Sequence, residues 1–125
     1  MKINLDPMPA RTSEEIHNLV EKQIEKMEAS IITGLRSFLI QPRLESRDWG
    51  WSQPIQTFPV WIIAESQQYD YCLLYSDYGF GPVNPWGLGF SSYKGFDADY
   101  CWYGSLEAAY RDSRLIEEYD EKKLK

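Results

Sequence analysis

Seven large apolar residues, Ile16, Val20, Ile24, Met27, Ile31, Leu35 and Phe38, recur at spacings of three and four early in this 125-residue chain. That period puts them on one stripe of an amphipathic helix. His17, Asn18, Glu21, Lys22, Glu25 and Glu28 fall off the stripe. A single helix of this kind runs about 30 Å, and its stripe needs a second layer to cover it. Thr12 and Glu15 have the spacing of a capping box, with Ser13 as the alternative cap. Gly34 is the expected terminator.

Beyond Gly34 the period changes. Pro42 stops any helix and puts residues 38–44 on an edge strand or extended segment. Trp49-Gly50-Trp51-Ser52 with Pro54 reads as a turn. Residues 58–65 are β-branched and aromatic between turn formers, which predicts a strand. Residues 69–76 predict a second strand, joined to the first through Gln67-Gln68. Residues 86–91 predict a third, and 100–103 a short further element. Ser105 is placed to cap a short C-terminal helix with Glu107 in its first turn and Leu106, Ala109 and Tyr110 on its apolar face. The expected fold is α+β: a long N-terminal amphipathic helix, a three- to four-stranded antiparallel sheet and a short C-terminal helix. Residues 1–11 form an extension, 12–116 a single domain, and 117–125 a charged tail that frays.

Function is signalled most strongly by residues 77–90, where Gly79, Gly81, Gly87, Gly89, Pro82 and Pro85 alternate with Tyr78, Phe80, Trp86 and Phe90. Glycines that allow close backbone approach, prolines that fix φ and rings that avoid water describe a rigid, shaped loop. Such loops serve binding more often than flexibility. Charge is segregated as well. Residues 1–48 hold seven Lys/Arg against eight Asp/Glu, residues 111–125 hold five of each, and residues 49–110 hold six acids against Lys94 alone. Nucleic-acid binding needs clustered Lys and Arg, so it is not expected. A basic protein partner fits this field. No stretch has the length or apolarity of a signal peptide or membrane span, and the expected location is cytoplasmic.

Catalytic patterns are weak by comparison. His17 is the sole histidine and lies off the apolar stripe, so Ser/His/Asp and Cys/His arrangements lack a base. Cys72 and Cys101 sit in apolar runs and read as small buried hydrophobes, with neither a disulfide nor a metal site expected. Paired carboxylates, Asp97 with Asp99 or Asp70 with Asp77, are the acid–base option among aromatic neighbours, and solvated loop acids are the expected reading. Gly79-Phe80-Gly81 lacks the remaining elements of a phosphate loop. No cofactor is expected, and the chain reads as a non-enzyme. Trp86 and Phe80 are either core plugs or contact residues. Tyr69, Tyr71, Leu73 and Tyr75 should share one strand face, with Asp70, Cys72, Leu74 and Ser76 on the other. Tyrosine beside carboxylate suits a protein interface. The contact candidates are Tyr69, Asp70, Asp77, Tyr78, Phe80, Trp86, Asp97 and Asp99.

The stretch Pro42…Trp49-Gly50, the strand Trp61-Ile62-Ile63-Ala64-Glu65, the block from Tyr75 to Pro82 with Pro85-Trp86-Gly87, and Trp102-Tyr103-Gly104-Ser105-Leu106-Glu107 complete the pattern. From about Pro42 to Ser113 the chain resembles a loose group of small bacterial cytosolic proteins found among polymorphic-toxin immunity proteins. The resemblance implies a protein that binds a cognate toxin and blocks it, and brings no functional residue with it. The competing expectation is a small-ligand module or enzyme using an aromatic pocket around Trp86 and Trp102 with Asp97 or Asp99.

Overall fold

The computed structural model describes residues 11–49, 56–78, 83–92, 95–96 and 102–123. The capping box forms: the Glu15 amide donates to Thr12 Oγ1 at 3.2 Å, and the Thr12 amide donates to the Glu15 carboxylate at 2.9 Å. From it runs helix α1, Ser13–Ile24. The single long helix expected from the stripe does not form. Helix α1 stops at Glu25, and a second helix, α2, covers Ala29–Arg36. The break consists of tight turns, Lys26 N–H to Gln23 O at 3.2 Å and Met27 N–H to Ile24 O at 3.0 Å. Such i→i+3 turns keep Ile24, Met27 and Ile31 on the same side of the chain. All seven stripe residues are buried in one core cluster, so periodicity alone cannot see the interruption. Burying each is worth roughly 1.5–3 kcal/mol. Gly34 does not terminate the helix either. It lies buried inside α2, where an added Cβ would strike the Tyr110 hydroxyl and come within 3.0 Å of the Tyr119 ring. Glycine is there for close approach.

The sheet has more strands than expected. Strands β1 (Leu39–Trp49), β2 (Gln56–Glu65), β3 (Cys72–Tyr75), β4 (Trp86–Gly89) and β6 (Trp102–Tyr103) are antiparallel neighbours in that order. The two-residue β5 (Gly95–Phe96) runs parallel to β1 at Asp48 and Trp49. Pro42 lies in β1 where the register shifts between Leu39 and Arg43, an irregularity that accommodates proline, and β1 itself is flanked by β2 along its length and by β5 at Asp48 and Trp49. The faces alternate as pleating requires. Trp61, Ile63, Leu73, Tyr75 and Trp86 meet the helices. Val60, Ile62, Cys72, Leu74 and Trp102 form a second cluster on the opposite face.

Ser105 caps α3 (Leu106–Asp112) by accepting from the Ala108 amide at 3.1 Å. A further helix, α4, then covers Arg114–Lys123. The charged stretch expected as a fraying tail is therefore helical through Lys123. Leu115 is fully buried within it and Glu118 is 3 % exposed. No helix among the described residues is long and apolar enough to cross a membrane.

Candidate functional site

Of the sequence-derived contact residues that the structure describes, Tyr69 and Asp70 precede β3, Asp77 and Tyr78 follow it, and Trp86 lies in β4. At about 3.3 Å per residue, the four-residue β3 holds the two flanking pairs more than ~10 Å apart. After the strand, Asp77 accepts a hydrogen bond from the Tyr75 hydroxyl at 2.7 Å and another from Arg11 Nε at 3.1 Å. Burial, followed by the Asp77 contact, pushes the Tyr75 phenol up to about 12. Tyr78 leans on Phe58 with centroids 6.0 Å apart. Trp86 is 3 % exposed and meets Tyr75 edge-on at 4.8 Å, which makes it a core plug. These groups are engaged inside the molecule. Phe80, Asp97 and Asp99 lie outside the described residues.

Before the strand the picture changes. Tyr69 is 47 % exposed and stacks on Tyr71, centroids 5.6 Å apart and planes 15° from parallel. Asp70 reaches across to the turn after β4, accepting from the Ser92 amide at 2.8 Å and the Ser92 hydroxyl at 2.5 Å. Those donors hold its carboxyl below the ordinary aspartate range. Phe90 projects beside this tie, 55 % exposed.

Two buried charged residues, neither singled out by the sequence, fix the backbone beneath these rings. Glu118 of α4 accepts from Ser66 Oγ at 2.7 Å, and that hydroxyl oxygen accepts from the Gln68 amide at 3.0 Å and the Tyr69 amide at 2.8 Å. The turn presenting Tyr69 is thereby tied to a helix. Lys122 lies 3.2 Å from the other Glu118 oxygen and sits over the Phe38 ring. Proximity to Glu118, behind burial as the larger cause, raises the Tyr71 phenol. On the opposite face Arg47 is fully buried. It donates from Nε and Nη2 to Glu45 at 3.2 and 3.0 Å and from Nη1 to the Phe90 carbonyl at 3.0 Å. A buried charge is tolerated when paired in this way, and the contact anchors the Phe90 backbone. The signals that could have found these residues are modest. Leu115, Ile116 and Tyr119 have helical spacing that makes Glu118 part of a packed helix, and Glu118–Lys122 is an i,i+4 pair.

Around the stacked tyrosines the surface is concave. One cleft of about 260 Å³ lies between β3–β4 and the α3–α4 junction, and a hollow of about 160 Å³ adjoins it along α4. Tyr71 and Arg114 line both, with Leu88 and Phe90 in the first and Glu117 and Glu121 in the second.

The other expected site does not assemble. Gly87 pairs with Trp102 and Trp86 with Tyr103, so the two indoles point to opposite faces and cannot line one pocket. The Trp102 ring covers Gly87 so closely that an added Cβ would lie 2.7 Å from it. Cys72 is the small buried hydrophobe expected, its thiol pushed up to about 11 by burial, and Cys101 lies outside the described residues. His17 is exposed on α1, at a cavity of about 290 Å³ whose rim holds the Arg36–Glu21 pair. Among the described residues no group of three or more His, Cys, Asp or Glu is placed to hold a metal ion. Comparison with protein-family models, curated sequences and solved structures gives no match to this chain.

Proposed function

We propose that the protein is a binding protein for a basic protein partner, and that it acts as an immunity protein by occupying a cognate toxin. The observation that carries this reading is the exposure of Tyr69 and Phe90 on a backbone braced by buried polar contacts and flanked by the acids of α4. Exposed aromatic rings on a fixed frame are the usual anchors of protein interfaces, because little freedom is lost when they bind. The surplus of acids across residues 49–110 supports a basic partner, and the resemblance to immunity proteins supports a toxin as that partner.

Among the contact candidates, Tyr69 and Asp70 are better placed for this role than Asp77, Tyr78 and Trp86. Tyr69 and Asp70 are exposed, although Asp70 is tied to Ser92, whereas Asp77 and Tyr78 are half-buried and Trp86 is buried. The test is co-expression with the product of the adjacent gene in the source genome. Near-equal capture of that product, with rescue of cell growth, is the expected result. Growth arrest unrelieved by the protein would refute the toxin reading.

A further inference from the structure

We infer that the cleft between β3–β4 and the α3–α4 junction receives one bulky apolar side chain carried on a basic segment of the partner. The inference rests on reading this end of the molecule as a protein-binding surface, and it adds the chemistry of what is bound. The cleft has a volume of about 260 Å³. An apolar cavity of ~150 Å³ admits a benzene ring, so there is room here for an indole or an isobutyl group. Tyr71, Leu88 and Phe90 supply its apolar wall, and Asp112, Ser113 and Arg114 line its helical side.

The wall is built before any partner arrives. Arg47 holds the Phe90 carbonyl, and Asp70 holds Ser92 just beyond it. Binding to a formed wall avoids the entropy cost of ordering a loop. Charge selects what flanks the incoming side chain. Across the cleft and the adjoining hollow the exposed acids are Asp112, Glu117 and Glu121, against one exposed guanidinium, Arg114, which is 3.2 Å from Glu117. Buried Glu118 is already matched by Lys122. Lysine or arginine on either side of the apolar residue meets opposite charge, whereas an acidic segment meets like charge. The stacked faces of Tyr69 and Tyr71 also suit a cation.

Three peptides titrated into the isotope-labelled full chain, followed by backbone NMR, test the inference. Ac-Lys-Trp-Lys-NH2 should shift the amides of Tyr71, Leu88–Phe90 and Ser113–Arg114. Ac-Lys-Ser-Lys-NH2 should bind about tenfold more weakly or worse, as loss of one buried large side chain requires. Ac-Glu-Trp-Glu-NH2 should also bind more weakly. Leu88→Trp, which fills the cleft from within, should abolish the response. Phe90→Ala, at an exposed position where folding is not at stake, should weaken it. Equal response to all three peptides, shifts confined to other surfaces, or unchanged binding by the folded Phe90→Ala protein would each overturn the inference. Failure here is separable from failure of the toxin reading. Peptides that bind as described without any captured toxin would refute only the latter. A captured toxin that leaves the cleft amides unmoved would refute only the former.

Discussion

The two ends of β3 carry the same residue pair in mirror order, Tyr69-Asp70 before the strand and Asp77-Tyr78 after it, yet the structure uses them differently. After the strand, the aspartate collects a tyrosine hydroxyl and an arginine, and the tyrosine leans on Phe58. The segment before helix α1 is thereby fastened to the sheet. Before the strand, the aspartate fastens one turn to another and leaves Tyr69 facing solvent. Identical chemistry thus serves as clamp at one end and as presentation at the other. The difference comes from neighbours far away in sequence: Arg11 for the clamp, and Ser92, Glu118 and Arg47 for the presenting end.

Binding should separate the two ends most strongly. Tyr69→Ala with Phe90→Ala should weaken capture of a protein partner by about 2 kcal/mol or more, some thirtyfold, because exposed aromatic anchors dominate interfaces. Asp77→Asn with Tyr78→Ala should leave that affinity within about threefold. Titration calorimetry with the co-expressed partner reads both.

A second effect concerns the brace under the presenting end. Glu118→Ala removes a buried acceptor and leaves Ser66 without its carboxylate. It should cost about 2 kcal/mol of unfolding free energy in urea. It should also speed amide exchange at Gln68 and Tyr69 more than at Asp77. Uniform acceleration at both ends would mean that Glu118 supports the fold alone.

Asp77→Asn should be milder, about 1 kcal/mol or less, because Arg11 is 38 % exposed and such a pair is screened by water. Its signature should be local loosening ahead of α1, with the turn around Tyr69 unchanged in NMR spectra.

Weaker still is the difference in how the ends respond to pH. Asp70 has a carboxyl lowered from 3.8 by Ser92, so its tie is complete above that value and is lost as pH falls through the lower folded one. Tyr75 is raised from 10.0 to about 12, so its contribution is complete below 10.0 and is lost as pH rises toward 12. Tyr110 is raised over the same range, so the alkaline loss must be followed at Asp77 itself. Acid should therefore loosen the Ser92 tie, and alkali the contact of Tyr75 with Asp77. Shifts of the Ser92 and Asp77 amides with pH provide the measurement.

Local signals were legible in the sequence. The Thr12–Glu15 box, the Ser105 cap, the 58–65 strand and the burial of every stripe residue all follow from spacing and side-chain type. What escaped the sequence depends on distant contacts. The break after Ile24 preserves the period that would have betrayed it. Gly34 reads as a stop until Tyr110 and Tyr119 are seen against it. The 117–125 stretch reads as polar because Glu118, on the buried side of α4, is charged like its neighbours. At the candidate site the sequence shows the residue pairs and not their surroundings. Tyr69-Asp70 and Asp77-Tyr78 read alike as tyrosine beside carboxylate, and only Arg11 and Tyr75 placed beside Asp77 tell the two pairs apart.

Hydrogen exchange of the captured complex against the free protein decides which end of β3 meets the partner. Protection is expected at 67–71, 88–92 and 112–121, with Asp77 and Tyr78 exchanging as before. Protection centred on Asp77, Tyr78 and the start of β4, with Tyr69 and Phe90 unchanged, would reverse the assignment of clamp and presenting end.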